Sequence, residues 1–245
     1  MLTFSPHTDR QRLGQGKFQL ERIRPGLRLN NPADAGLGPL GLVDHSFVQP
    51  GLEVPMHEHR NDEILSYARR GQVIHEDSTG VRQTVTPAHL MLMGAGRGFW
   101  HEEYVPADGE PLELLQIFIR PHAADLAPQV LFHRFDAADS PNAWRLVGGP
   151  TGTGAPLAIR SAVWLYDAHL TRHTLALPAL GGRTAFLYVV RGNVTIPEPG
   201  LAMQLGDSLI ISDEAVSVTA PDEAEVIVFL LDMQAPFSRA GTLSG

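Results

Sequence analysis

The chain has 245 residues, enough for two domains of about 120 each, and its 43% apolar and 19% charged residues give a soluble globular balance with material for sizeable cores. A net charge of −8, with no cluster of Lys and Arg, argues against nucleic acid as a partner. The lack of cysteine excludes disulfides, thiolate zinc sites and cysteine nucleophiles together.

The opening MLTFSPHTDRQRLGQ has no apolar core of signal-peptide length, and no apolar run approaches the roughly 18 residues of a membrane span. A cytoplasmic protein without membrane attachment is therefore expected. Beyond residue 60, glycines and prolines punctuate short apolar runs: EILSYAR at 63–69, QVIHE at 72–76, HLMLM at 89–93 and LELLQIFI at 112–119. AFLYVV at 185–190, NVTI at 193–196, SLIIS at 208–212, VSVTA at 216–220 and EVIVFLL at 225–231 continue the series. Runs this short, rich in Val, Ile, Leu, Phe and Tyr and bounded by turn residues, predict an all-β chain of sandwiches or barrels. No long helical periodicity competes; a short helix is allowed for at Pro121–Leu126 or near Asp213. The polar, Gly- and Pro-rich stretch from Phe132 to Pro156 reads as the connection between two β domains.

The halves resemble each other. ILSYARRGQVIH at 64–75 and AFLYVVRGNVTI at 185–196 align on Gly71 and Gly192, each an apolar strand, an Arg-Gly turn and a second strand. After one three-residue gap, TPAHLMLM at 86–93 falls on QLGDSLII at 204–211. LELLQIFIRP at 112–121 matches EVIVFLLDM at 225–233 in character. A duplicated β domain is predicted.

The stretch PMHEHRNDE carries the chemistry. His57 and His59 stand at i, i+2, so on a strand both point to one face, about 6–7 Å apart at Cα. GAGRGFWHEEY repeats the pattern with His101 and Glu103. Two such pairs on neighbouring strands would face each other across a barrel. Three neutral imidazoles and one carboxylate around a divalent ion leave a net charge near +1 and can leave coordination positions open, as reactive sites require. Nitrogen and oxygen donors without sulfur suit Fe, Mn, Co, Ni, Cu or Zn. In the second half the aligned positions are Pro178, Leu180, Thr219 and Pro221, and without the gap the last two become Asp222 and Ala224. The C-terminal half is therefore expected to lack the site, with one metal per chain. Gly94, Gly96 and Gly98 have no helical pattern after them, so they read as turn residues that bring backbone close to the site and not as an anion cradle. Trp100 and Phe99 read as core, and Glu102 as a solvated carboxylate on the opposite face. His75 and His89 lie in or beside the same strands; either could donate to a ligand carboxylate or line the pocket, and surface or satisfied-core roles are the first expectation. His7, His45, His122, His133, His169 and His173 carry no spacing signal.

GLEVPMHEHRNDEILSYARRG resembles the first cupin motif, and TVTPAHLMLMGAGRGFWHEE the second. Spacing and the AGRGFWHEE ending are similar to those of pirin and its bacterial relatives, over about Leu27 to Met233. The resemblance implies an all-β bicupin of two tandem cupin (β-sandwich, jelly-roll barrel) domains: residues 1–133 metal-binding, residues 134–245 degenerate and without metal ligands. It places the metal ligands on His57, His59, His101 and Glu103, the four residues already paired by strand parity. Glu63, a ligand in many cupins, passes that role to Glu103 and is expected in a supporting contact or salt bridge. The sequence departs from the family at Pro87-Ala88-His89 (usually Pro-Gly-Asp), at Glu102 (usually Ser) and at His57-Glu58-His59 (usually His-Pro-His). These affect pocket shape and charge.

The function implied by the resemblance is a quercetin 2,3-dioxygenase-like enzyme that cleaves a flavonol, or a related enolic or phenolic compound, with O2. Iron is the first expectation for the metal, and Glu103 would also serve as the base that takes the substrate hydroxyl proton. The alternative is a non-catalytic, metal-binding, pirin-like regulatory protein with a protein partner. The third reading is a metal-free β scaffold. A monomer is expected, because a bicupin buries a large surface between its own halves.

Overall fold

The computed structural model describes residues 1–31 and 33–245. Its regular structure is β throughout, apart from two single-turn 3₁₀ segments at His7–Asp9 and Leu27–Leu29. No helix among the described residues is long and apolar enough to cross a membrane.

Three sheets build the molecule. A four-stranded sheet runs Glu53–His59, Phe99–Tyr104, Val73–Asp77, Arg82–Val85. A seven-stranded sheet runs Gln129–Arg134, His89–Gly94, Glu63–Arg70, Leu112–Ile119, Leu40–Val48, Phe18–Ile23, Gln11–Gln15. Together they enclose the N-terminal barrel. The C-terminal half is a ten-stranded sheet whose main path is Leu2–Ser5, Ser208–Ile211, Thr184–Ile196, Glu223–Leu231, Val163–Thr171, Arg145–Pro150, Leu157–Ile159. Among the described residues the strands pair antiparallel except Arg145–Pro150 with Leu157–Ile159, and an isolated parallel bridge joins Pro141 and His169.

Side-chain alternation sorts the apolar residues into three cores. Ile64 and Ala68 face the N-terminal barrel interior with Met91, Met93, Leu114 and Phe118. Their neighbours Leu65 and Tyr67 face the other way, into a core shared with Phe186, Tyr188, Ile227 and Phe229 of the second half. Ala185, Leu187, Val226 and Val228 fill the C-terminal barrel. Central strands buried on both faces lose the polar-apolar alternation, which is why ILSYA and AFLYVV read as unbroken apolar runs.

The predicted strands stand where the apolar runs lie. The two Arg-Gly turns differ in form but share a cause. Gly71 (φ +69°) separates two strands, whereas Gly192 (φ +76°) bends the single strand Thr184–Ile196 from one ladder into another. A Cβ at Gly71 would lie 2.6 Å from Pro111 O, and one at Gly192 2.2 Å from Glu223 O. The same close approach at aligned positions supports the duplication.

Two expectations need correction. No helix forms at Pro121–Leu126 or near Asp213; Asp125 (φ +55°) and Asp213 (φ +59°) take left-handed backbone, which a right-handed helix cannot include. The connecting stretch is not all irregular: Arg145–Pro150 is a strand, paired with Val163–Thr171. The chain also crosses at both ends of the expected division at 133/134. Leu2–Ser5 pairs with Ser208–Ile211 in the second half, and Ser244 is hydrogen-bonded to Asp62 and Arg120 of the first.

Candidate metal centre

The Glu53–His59 strand lies antiparallel to Phe99–Tyr104, with His101 directly opposite His57. Glu103 is opposite Val54, so four residues, Val54 to His57, span the register of three, a β-bulge. On the other side of Phe99–Tyr104 the pairing with Val73–Asp77 is regular and sets Glu103 opposite His75. His101 and Glu103 are buried and Glu102 is intermediate, as strand parity requires. Phe99 is core as expected, but Trp100 is not: it is exposed, because it shares the outer face of the strand with Glu102.

His57, His59 and His101 converge: one ring nitrogen of each lies within 4.8 Å of the others. His57 Nε2 and His59 Nε2 are 3.1 Å apart. His57 Nδ1 meets Pro55 O at 2.9 Å, and His101 Nδ1 meets His75 Nδ1 at 3.3 Å. The free nitrogens therefore point at each other, and buried His101 Nε2 has no hydrogen-bond partner among the described residues. Burial, then the nearby imidazoles of His57, His59 and His75, push His101 down to about 2. Burial also lowers His57, with His59 adding to it against the pull of the Pro55 carbonyl. Imidazole nitrogens turned inward toward one another, one of them without any partner, are the donor set that a divalent transition metal takes. The residues present fit such an ion.

Glu103 is buried beside this trio but is not part of its close cluster. Gln116 Nε2 reaches across the barrel from Leu112–Ile119 and donates to both carboxylate oxygens, at 3.2 and 3.4 Å. Burial pushes Glu103 up to about 7, against the opposing effects of His59 and Gln116. Phe118, on the same face of that strand as Gln116, packs 6.2 Å from the His59 ring centroid. A cavity of about 380 Å³ opens at Glu103, with Glu53, Glu76, Glu102, Arg82 and Tyr104 among its walls.

Glu63 stands apart from the cluster. It is buried against the second half, accepting from Arg160 N at 2.8 Å and Arg160 Nε at 3.1 Å. His89 Nδ1 meets Thr84 O at 2.8 Å. The turn glycines approach elsewhere than expected: a Cβ at Gly96 would lie 2.0 Å from Leu126 O, a neighbouring loop and not the histidines.

Three residues support the site: His75, expected as a satisfied core group, and Gln116 and Asp62, which carry no motif. Buried His75 abuts His101 and is itself held by Asp77 Oδ2 at 3.1 Å. Gln116 is the lone amide inside LELLQIFI, a visible signal, since a polar residue in a strand buried on both faces needs a partner. Asp62, fully buried, sets Oδ2 3.7 Å from His59 Nδ1. A second group, Asp139, His169 and Glu225, could also approach a cation. Arg69 already fills that role, at 2.9 Å from Asp139 and 2.7 Å from Glu225, with Arg191 3.4 Å from Glu225.

Residues 32–119 match the family described as Pirin, and residues 146–231 the family described as Quercetinase C-terminal cupin domain. A quercetin 2,3-dioxygenase of Escherichia coli is 32% identical over 201 residues, covering 81% of this chain and 85% of that protein. The crystal structure of YhhW from Escherichia coli superposes with a TM-score of 0.83 at 29% identity, covering 95% of this chain and 98% of that one. The structure of bacterial pirin YhhW in complex with nickel(II) gives a TM-score of 0.80 at 26% identity, covering 96% and 100%.

Proposed function

The chain belongs to the pirin family, and on that premise we propose that it is a metal-dependent dioxygenase acting on a flavonol or a related enolic or phenolic compound. The observation that carries the reading is the convergence of three imidazoles beside a buried carboxylate, Glu103; a cavity of about 380 Å³ reaches Glu103 but none of the three histidines. A relative with nickel bound and relatives named quercetin 2,3-dioxygenase support it.

His57, His59 and His101 would hold one divalent transition metal, with Glu103 as the fourth ligand. Iron is the first expectation, and Mn, Co, Ni, Cu and Zn are alternatives. When bound, the ion would supply Lewis-acid polarisation of an enolic oxygen. The chain's own groups do the rest. Glu103 takes the substrate hydroxyl proton, and Gln116 fixes the carboxylate's orientation through its two contacts. Phe118 and Phe99 line the barrel around the histidines and exclude bulk water. Glu63, in its ion pair with Arg160, takes no part.

The test is to load the purified protein in turn with Fe(II), Mn, Co, Ni and Cu, add quercetin, and follow loss of the flavonol absorbance. Turnover with at least one metal is expected, and no turnover with any defeats the dioxygenase reading. Elemental analysis tests the site separately. His57→Ala and His101→Ala should each bind less than a tenth of a metal per chain; full stoichiometry in both overturns the ligand assignment.

A second reading is a metal-binding regulatory protein. Exposed Met56 and Trp100, carried by the two strands that bear the histidines, favour it. Metal binding without turnover is its signature in the same assay.

A further inference from the structure

The last residues of the chain leave the C-terminal sheet after Glu223–Leu231 and cross back to the N-terminal barrel. Ser238 N donates to Pro121 O at 2.8 Å, and Thr242 N to Arg60 O at 2.9 Å. Arg60 N donates in turn to Thr242 Oγ1 at 2.8 Å. The segment ends on Asp62. Leu243 N donates to Oδ2 at 3.2 Å, Ser244 N to Oδ1 at 3.0 Å and Ser244 Oγ to Oδ1 at 2.6 Å. Arg120 Nε holds the Ser244 carbonyl at 2.5 Å, and its guanidinium is gripped by Asp34 at 2.7 and 2.8 Å. Gly41 makes room for this end: a Cβ there would lie 2.6 Å from Ser244 Cβ. Asp62 and Ser244 have no exposed surface.

Asp62 Oδ2 faces His59. The distance to His59 Nδ1 is 3.7 Å, and that nitrogen is buried without a hydrogen-bond partner among the described residues. The inner nitrogen, Nε2, is the one turned to His57. An imidazole that gives its Nε2 lone pair to a metal carries its proton on Nδ1, and a buried N–H needs an acceptor. The Asp62 carboxylate, which the tail holds still, is the acceptor that faces this nitrogen.

From this geometry we infer that the C-terminal tail is a latch on the metal centre. Leu243 and Ser244 position Asp62, and Asp62 sets the tautomer and orientation of His59. The inference rests on the proposed metal site and goes beyond it, since it makes metal retention depend on residues 181 and 182 positions from Asp62 in the sequence. Arg239 and Ala240 are exposed, so cleavage of the tail there would loosen the metal without touching a ligand.

The test measures affinity for Co(II) by chelator competition, together with the visible Co(II) spectrum and the folding of the metal-free protein. Removal of Leu243–Gly245 should weaken Co(II) binding about 10- to 100-fold and change the Co(II) spectrum. Asp62→Asn keeps the side-chain shape, so it covers the case in which the shortened chain fails to fold, and the same weakening is expected. Gly192→Ala, which strains the second half far from Asp62, controls for general destabilisation and should leave affinity and spectrum unchanged. Wild-type affinity and spectrum in Asp62→Asn, or in a folded shortened chain, overturn the latch. Equal weakening in Gly192→Ala also overturns it. Failure of the wild-type chain to bind Co(II), or any of the other metals, sinks the metal reading itself, and the latch with it.

Discussion

Two buried glutamates show how burial and partner divide the work. Glu103 faces an amide and the histidine trio, and Glu63 faces a guanidinium across the boundary between the halves. Burial pushes Glu63 up to about 7, overriding the attraction of Arg160. A carboxyl whose folded pKa lies above its ordinary value of 4.5 contributes stability that is fully present below pH 4.5 and is lost as pH rises through 7. The stability of the wild type relative to Glu63→Gln should therefore fall by about 3 kcal/mol between pH 4.5 and pH 8. Urea unfolding of both proteins across that range checks this; a difference that does not move with pH rejects it. The HxH and HxE spacings were legible in the sequence because side chains on a strand repeat every two residues. Asp62, His75 and Gln116 were not read as site residues, because their roles depend on what lies across the sheet or the barrel.

At the scale of the strand, parity explains both what reads clearly and what does not. Ile64 and Ala68 line one core and Leu65 and Tyr67 another, so the run shows its length but not its direction. The bulge between Val54 and His57 leaves no mark in the sequence beyond Pro55, yet it decides which residue stands opposite Glu103. The Arg-Gly turns are legible because their chemistry is local. Gly71 and Gly192 have positive φ and meet backbone oxygens of the next strand. Gly71→Ala and Gly192→Ala should each cost about 1–3 kcal/mol from backbone strain, with the close contact adding to it. Chemical denaturation would measure the cost, and midpoints equal to wild type would contradict it.

The whole molecule is tied together by a core that neither half owns. Leu65, Tyr67, Leu115 and Ile117 of the first half pack in one cluster with Phe186, Tyr188, Ile227 and Phe229 of the second. The chain ends reinforce the join, the first strand pairing in the second half and the last residues binding the first. One cooperative unfolding transition is expected. Trp100 reports on the first half and Trp144 and Trp164 on the second, so Trp100→Phe and the double variant Trp144→Phe/Trp164→Phe each leave one half visible by fluorescence. Coincident midpoints are the expected outcome, and separate transitions would mean that the halves are independent.

The sequence by itself determined the all-β class, the likeness of the two halves, and the pairing of His57 with His59 and of His101 with Glu103. All of these rest on short-range periodicity, turn chemistry and motif resemblance, which are properties of residues close together in the chain. Only the tertiary structure decided that the three imidazoles converge while Glu103 turns to Gln116, that Glu63 joins the halves through Arg160, and that both termini cross over. Those depend on contacts between residues tens to hundreds of positions apart. Burial and geometry set such contacts once the sheets have packed, and no local pattern records them.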